Sequence, residues 1–229
     1  MRELVVHRLG LVPYAAAVDF QKSLVEDRRA GRIPDTLLLL EHPHVITLGV
    51  KLADARAHVV ATPESLDARG VQVVETGRGG DVTYHGPGQL VAYPILDLKP
   101  DRQDVHRYVR DLEAVMIRLC AEYGVTADRV TGFSGAWVGD RKIGAIGVRI
   151  SRWITSHGLA LNVSTDLSYF DLIVPCGIAE KGVTSLSLEI GRHVPVDEVT
   201  DAFVQAFAAV FDVSPAAPAT WPAWRRASP

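Results

Sequence analysis

Apolar residues recur along this chain at two spacings, one near two and one near 3.6, and the switches between them mark out its elements. Residues 4–7 are apolar and β-branched, and residues 13–30 carry apolar positions at helical spacing with Gly31 as a left-handed stop, which predicts strand then helix. The runs 37–41 and 45–48 flank His42-Pro43, a pair favouring extended or turning backbone, and predict two strands. Thr62-Pro63-Glu64 starts a short helix closed by Gly70, followed by a strand over 71–76. Residues 89–98 read as a strand in which Pro94 points to an edge or a bulge. Asp104 opens the clearest helix, with Val105, Tyr108, Val109, Leu112, Val115, Met116, Leu119 and Cys120 on one face and Gly124 as its stop. Residues 136–163 have the pattern of a three-stranded meander, turning at Gly139-Asp140 and again within 151–156. A last amphipathic helix uses Val196, Val199, Phe203, Phe207, Val210 and Phe211. Strands cluster centrally and helices interrupt them without regular alternation, which predicts an α+β fold, a mixed or antiparallel sheet with flanking helices. The expected organisation is one domain over residues 1–213 and a loose Pro/Ala-rich tail over 214–229.

Composition narrows the class. At 229 residues, 48% hydrophobic and 22% charged, the chain has the make-up of a globular protein and excludes a disordered or collagen-like one. Its 24 Lys+Arg against 27 Asp+Glu give a net charge of -3, which argues against a nucleic-acid partner needing a broad basic face. No apolar run approaches the ~20 residues of a membrane span, and the N-terminal residues lack a signal-peptide core, so a cytoplasmic location with no membrane partner is expected.

Two cysteines are present. Cys120 falls in a helical apolar stripe, where a thiol behaves as a small buried hydrophobe. Cys176 lies between Pro175 and Gly177 after the apolar run 172–174, where a strand ends in a turn. A thiol is reactive as thiolate, and at a free pKa of ~8.5 it needs a nearby cation to be populated at neutral pH. Lys142 begins the strand KIGAIGVRI, whose strict alternation places Lys142, Gly144, Ile146 and Val148 on one face and Ile143, Ala145 and Gly147 on the other. The small residues leave room for a ligand chain, or serve tight sheet packing. From Gly77 to Gly88 five of twelve residues are glycine, yet the segment lacks both a P-loop and a dinucleotide fingerprint and reads as a loop, either lying against a ligand or forming a wide turn. The eight histidines show no H-x-x-x-H spacing and no C-x-x-C occurs, so no metal site is expected. The sequence around Ser134 also fails the G-x-S-x-G pattern of a hydrolase.

These same segments resemble a known family. RGGDVTYHGPGQL at 78–90, KIGAIGVRI from Lys142, HGLALNV at 157–163, and IVPCGI with GVTSL within 173–186 are similar, in this order, to motifs of the octanoyl-[acyl-carrier-protein]:protein N-octanoyltransferases, or lipoyl(octanoyl) transferases. LLLLEHPHVITLG from Leu37 extends the resemblance, although Val50 and then Lys51 stand where relatives usually show Arg. The resemblance implies a fold like the biotin and lipoate protein ligases and transfer of an octanoyl group from octanoyl-acyl carrier protein. The implied acceptors are lysines of lipoyl domains, in 2-oxoacid dehydrogenase complexes and the glycine cleavage H protein. It further implies Cys176 as acyl-thioester nucleophile and Lys142 as the cation that lowers its pKa, with no cofactor. Arg78, Gly79, Gly80, Asp81, Val82, Thr83, Tyr84 and His85 are then expected to bind substrate. So are Ala145, Ile146 and Gly147 on one strand, and Gly158, Leu159 and Ala160 on the next. Arg141, Arg149, Arg152 and Lys51 are expected as a local basic rim for the acidic carrier. An ATP-dependent ligase and a non-catalytic acyl-binding module are the rival readings, separated by an ATP requirement and by acyl mass on Cys176.

Overall fold

The computed structural model describes residues 1–50, 55–174 and 181–218. Strand β1 (Arg2–Leu11) leads into helix α1 (Tyr14–Arg29), which Gly31 ends at φ +70°. Two strands follow, β2 (Asp35–Glu41) and β3 (Val45–Leu48), and the intervening His42-Pro43 sends them into different sheets. A short helix α2 (Pro63–Ala68), capped by Thr62, precedes β4 (Gln72–Glu75). Next come β5 (Val82–His85), β6 (Gln89–Ile95) and helix α3 (Val105–Glu122), whose N-cap Asp104 accepts from the Arg107 amide. The hairpins β7 (Asp128–Val130), β8 (Phe133–Val138), β9 (Arg141–Ser151) and β10 (Ile154–Asn162) follow, then short α4 (Leu186–Ile190), α5 (Val196–Phe211) and β11 (Val213–Ala216).

Eight strands form one mixed sheet in the order β11-β1-β2-β6-β10-β9-β8-β7, and β4-β3-β5 form a second of three. The parallel pairs are β11/β1 and β1/β2 in the large sheet, with α1 as the crossover of the latter, and β3/β4 in the small one. Helices α3 and α5 cover one face of the large sheet through a core of Leu112, Met116, Leu119, Phe203 and Phe207. Helix α1 covers part of the other face through Ala17 and Leu24, with Val12 just before it in the same core, and the small sheet stands beside it with its own core around Ile46 and Tyr84. The predicted α+β mixed sheet with flanking helices is the architecture found.

Several local expectations change. Val82–His85, read as part of a glycine-rich loop, is a strand, because Val-Thr-Tyr-His alternates β-formers that pair with β3. Pro94 is not on an edge: β6 lies between β2 and β10, and Pro94 pairs with Leu37. Its missing N–H is accommodated by a break in the β6/β10 ladder, where the Thr155 hydroxyl donates to the Pro94 carbonyl at 2.7 Å and the His157 amide turns away to Gln21 Oε1, also at 2.7 Å. Val105 of the α3 stripe is exposed at the first turn. Residues 214–216, assigned by composition to the tail, extend the large sheet against β1.

Glycines differ in what they permit. A Cβ on Gly158 would stand 2.1 Å from the Ala92 carbonyl oxygen, a rigid backbone atom, whereas one on Gly144 would meet the flexible Met116 Sδ at 2.4 Å. Gly158→Ala should therefore lower the unfolding free energy by about 1–3 kcal/mol through overpacking. Gly144→Ala should lower it by clearly less, since the thioether can swing aside. Urea denaturation of the two variants checks this, and equal losses would contradict it.

Candidate active site

A cavity of about 870 Å³ lies between the face of β9 and β10 and the small sheet. Its floor is Ala145 and Gly147 from β9 with Gly158 and Ala160 from β10; Val82, Thr83 and His85 of β5 form the opposite wall with Arg78, Gly80 and Asp81. Gly147 is small for a reason: a Cβ there would touch Arg78 Cδ and the Gly79 carbonyl, each at 3.0 Å. Lys142, Phe133, Lys181 and Gly182 line one end, and Tyr14, Tyr93 and His157 the other.

Lys142 reaches this cavity because of one extra residue. Ala136 pairs with Gly144 but Trp137 with Lys142, so Ile143 is a bulge in β9. Beyond the bulge, Gly144 faces Met116 and Leu161 of the α3 core, and Ile143 turns into that same core. Lys142 is thereby placed on the face of Ala145 and Gly147, not with Gly144, Ile146 and Val148 as strict alternation predicts. Its Nζ lies 4.7 Å from the centroid of the buried Trp137 ring, with Lys181 Nζ 5.6 Å from the same ring. Among the described residues no carboxylate pairs with Lys142, and burial lowers its pKa to about 8. Its backbone is clamped from the C-terminal side: the Lys142 amide donates to the Gly182 carbonyl at 2.9 Å, and the Thr184 amide to the Lys142 carbonyl at 3.0 Å. Cys176 lies outside the described residues, but both flanks of its segment come to this cavity. Ile173 and Val174 line it on one side, with the Val174 amide donating to the His58 carbonyl at 2.8 Å, and Lys181 to Val183 line it on the other.

The far wall is a buried polar and aromatic cluster. Gln89 Nε2 donates to Asn162 Oδ1 at 2.9 Å and to the Tyr84 carbonyl at 3.2 Å, which turns Oε1 toward His85 Nδ1 at 2.7 Å and makes Nδ1 the protonated nitrogen. His42 donates from Nδ1 to the Val12 carbonyl at 2.7 Å and accepts from Tyr93 at Nε2, 2.8 Å away. Burial drives these rings to the neutral form, lowering His42 to about 4 and His85 to about 3; His157 is likewise lowered to about 4. Arg78 is buried too, and its guanidinium is satisfied by Thr47, Nη2 donating to the carbonyl at 2.6 Å and Nε to the hydroxyl at 3.1 Å, and by the Gly79 carbonyl at 3.1 Å. Burial lowers its pKa as well.

Of the residues expected at a substrate site, two stand off the cavity. Tyr84 points from β5 into the small-sheet core, its hydroxyl 2.7 Å from His44 Nδ1, and Gly79 is tied by its amide to the Val148 carbonyl at 2.9 Å. Arg141 is paired with Glu189, Arg149 and Arg152 are exposed, and Lys51 lies outside the described residues. Sequence reasoning missed Tyr14, Gln89, Tyr93 and Asn162; the aromatic and amide side chains buried within otherwise apolar strands were a usable signal, but Tyr14 comes from a helix start with none. Among the described residues no three His, Cys, Asp or Glu side chains converge as a metal site would require. No helix of these residues is long and apolar enough to cross a membrane.

Residues 13–208 match the model of the lipoyl protein ligase A/B catalytic domain. The chain belongs to this family. It is 55% identical over 218 residues to the octanoyltransferase of Chloroflexus aggregans, covering 94% of this chain and 98% of that protein. The octanoyltransferase of Rubrobacter xylanophilus is 54% identical over 204 residues, covering 88% and 91%. Among solved structures, a bipartite lipoate protein ligase from Thermoplasma acidophilum superposes with a TM-score of 0.72 at 18% identity, over 95% of this chain and 87% of that one. A biotin protein ligase from Aquifex aeolicus in complex with biotin and ATP superposes at 0.55 with 13% identity, over 93% and 71%. The likeness at these low identities is one of fold.

Two stability effects follow. A lysine whose folded pKa lies near 8, below the ~10.4 of an unfolded chain, penalises folding at every pH below about 8. Lys142→Met should therefore raise Tm at pH 7, at about 2–4 °C per kcal/mol for a chain of this size, as scanning calorimetry would show. For the histidines, the unfolded state takes up protons first, near pH 6.5, so stability is full above that pH and falls as pH drops toward about 4. Urea midpoints at pH 7.5 and 5.0 measure it, and a higher midpoint at pH 5.0 would refute it.

Proposed function

We propose that this protein transfers an octanoyl group from octanoyl-acyl carrier protein to a lysine of a lipoyl domain through a thioester on Cys176. The observation that carries the reading is Lys142: a buried ammonium at one end of a channel floored by small residues, joined through its own backbone to the residues that follow the Cys176 segment. The octanoyltransferase names of relatives at 54–55% identity support the same acyl group and the transferase class.

In this reading the Cys176 thiolate attacks the thioester carbonyl of the donor and expels the carrier's thiolate, which takes a proton from water on release. One thioester replaces another, so the step is nearly balanced in free energy. The acceptor lysine amine then attacks acyl-Cys176, forms the amide and returns the thiolate, while the proton lost by the amine passes to water; in this reading Lys142 stabilises the thiolate in both steps. The amide is far more stable than the thioester, and no nucleotide enters. Burial of the chain over Ala145, Gly147, Gly158 and Ala160 contributes ~0.8 kcal/mol per CH₂. The acceptors proposed are lipoyl domains of 2-oxoacid dehydrogenase complexes and the glycine cleavage H protein, in the cytoplasm. An ATP-dependent ligase on this fold would instead need ATP and form an acyl-adenylate.

Cys120 is a poor nucleophile, since burial pushes its thiol up to about 12. Mixing the protein with octanoyl-acyl carrier protein should add octanoyl mass to a peptide containing Cys176, in Cys120→Ala as in the wild type and not in Cys176→Ser. Lys142→Met should slow transfer by about 10²–10⁴, the range of a lost acid–base group, while Lys142→Arg retains acyl-enzyme formation. An active Cys176→Ser protein would end this proposal.

A further inference from the structure

A second cavity, of about 780 Å³, lies between α1, β4 and the β9–β10 hairpin. Ala15, Val18, Val25, Val74 and Ile154 give it an apolar strip flanked by charged side chains such as Asp19, Lys22, Glu26, Arg29, Glu75 and Arg149, and it shares Tyr14 and His157 with the site cavity. We infer that Tyr14 and His157 form a partition that sets acyl-chain length, closing the site channel against this second room; the inference rests on the acyl-transfer reading above.

Three observations carry it. The first is position: His157 pairs with Val148, six residues along β9 from Lys142, which is about 20 Å at ~3.3 Å per residue. Lys142 and Tyr14 both line the site cavity, and their side chains shorten the length of that span left for an acyl chain. Rigidity is the second. The Tyr14 ring is 4% exposed, stacked on His85 at 6.3 Å and edge-on to His42 at 5.1 Å. His157 holds a left-handed backbone at φ +54°, with its amide fixed on Gln21 Oε1 at 2.7 Å and its ring edge-on to Tyr93 at 6.1 Å. The third is polarity. Of the buried side-chain atoms on this shared wall, His157 Nδ1 has no partner among the described residues, with Gln21 Nε2 behind it, while the Tyr14 hydroxyl faces the Thr76 side chain. A methyl terminus driven against this wall meets packed rings and buried polar atoms that offer an apolar chain no gain, so a chain that is too long meets a steric penalty.

Calorimetric binding of octanoate and tetradecanoate tests the partition independently of catalysis, with transfer from the corresponding acyl-carrier proteins measured alongside. The wild type should bind octanoate about tenfold or more tightly than tetradecanoate. Tyr14→Ala and His157→Gly, the latter suited to the left-handed backbone, should each bring the two within about threefold. Adding Val25→Trp to Tyr14→Ala should fill the second room and restore the discrimination. If Tyr14→Ala does not fold, His157→Gly carries the test, and Tyr14→Phe, which keeps the ring, should keep the selectivity. An unchanged ratio in folded opened variants, or a ratio that Val25→Trp does not restore, overturns the partition. A protein that transfers no acyl group yet shows the shifted binding ratio overturns the transferase reading and leaves the partition standing.

Discussion

A lysine ammonium buried without a carboxylate partner is the constraint around which the site is organised. Desolvation disfavours its charge, and the face of Trp137 at 4.7 Å is the compensation that the surrounding strands offer. Holding it there requires the Ile143 bulge, and the bulge requires close approach of β8 and β9: a Cβ on Gly135, at φ +113°, would lie 2.3 Å from the Gly144 carbonyl oxygen. The Gly135 amide is in turn fixed by Glu113 Oε1 of α3 at 3.1 Å, and Glu113 is itself paired with Arg110 and Arg129. The helical layer thus anchors, from the opposite face of the sheet, the turn of chain that presents Lys142.

The far wall solves the reverse problem. His42, His85 and His157 are kept neutral by burial; the buried charge beside them is Arg78, whose hydrogen bonds go to backbone and to the Thr47 hydroxyl, and Arg149 lies near His157. The neutral rings suit an apolar chain, while the network from His85 through Gln89 and Asn162 to the Thr184 carbonyl ties that wall to the backbone of Lys142. The far wall of the cavity and its Lys142 end are therefore parts of one hydrogen-bonded frame.

The same scaffold carries ligases at 13–18% identity, which places chemistry in the residues set upon the sheet and not in the sheet itself. The family assignment and the fold agree, and the octanoyl reading for this chain draws on relatives with half or more of its residues in common.

Much was legible from local pattern. The stripe from Tyr108 to Cys120 gave α3, because helix burial has a fixed period, and the glycines after α1 and α3 marked their ends by a backbone conformation that side chains disfavour. The fold class and the strands around Lys142 followed from the same periodicities, and the buried, inert character of Cys120 from its place in the stripe. Which face Lys142 takes was not legible, since alternation assumes an unbroken ladder and a bulge is decided by how β8 and β9 approach each other. Nor was the strand at Val82–His85, whose flanking glycines mask a pairing that β3 supplies from 34 residues away or more. Pro94 could sit inside the sheet only because Thr155 and Gln21 take up the bonds that its ring disrupts, and Tyr14 reaches the cavity only through the packing of α1 on β10. Periodicity is a property of neighbours along the chain and is written in the sequence; the meeting of groups distant in sequence depends on tertiary packing, which alone decided them.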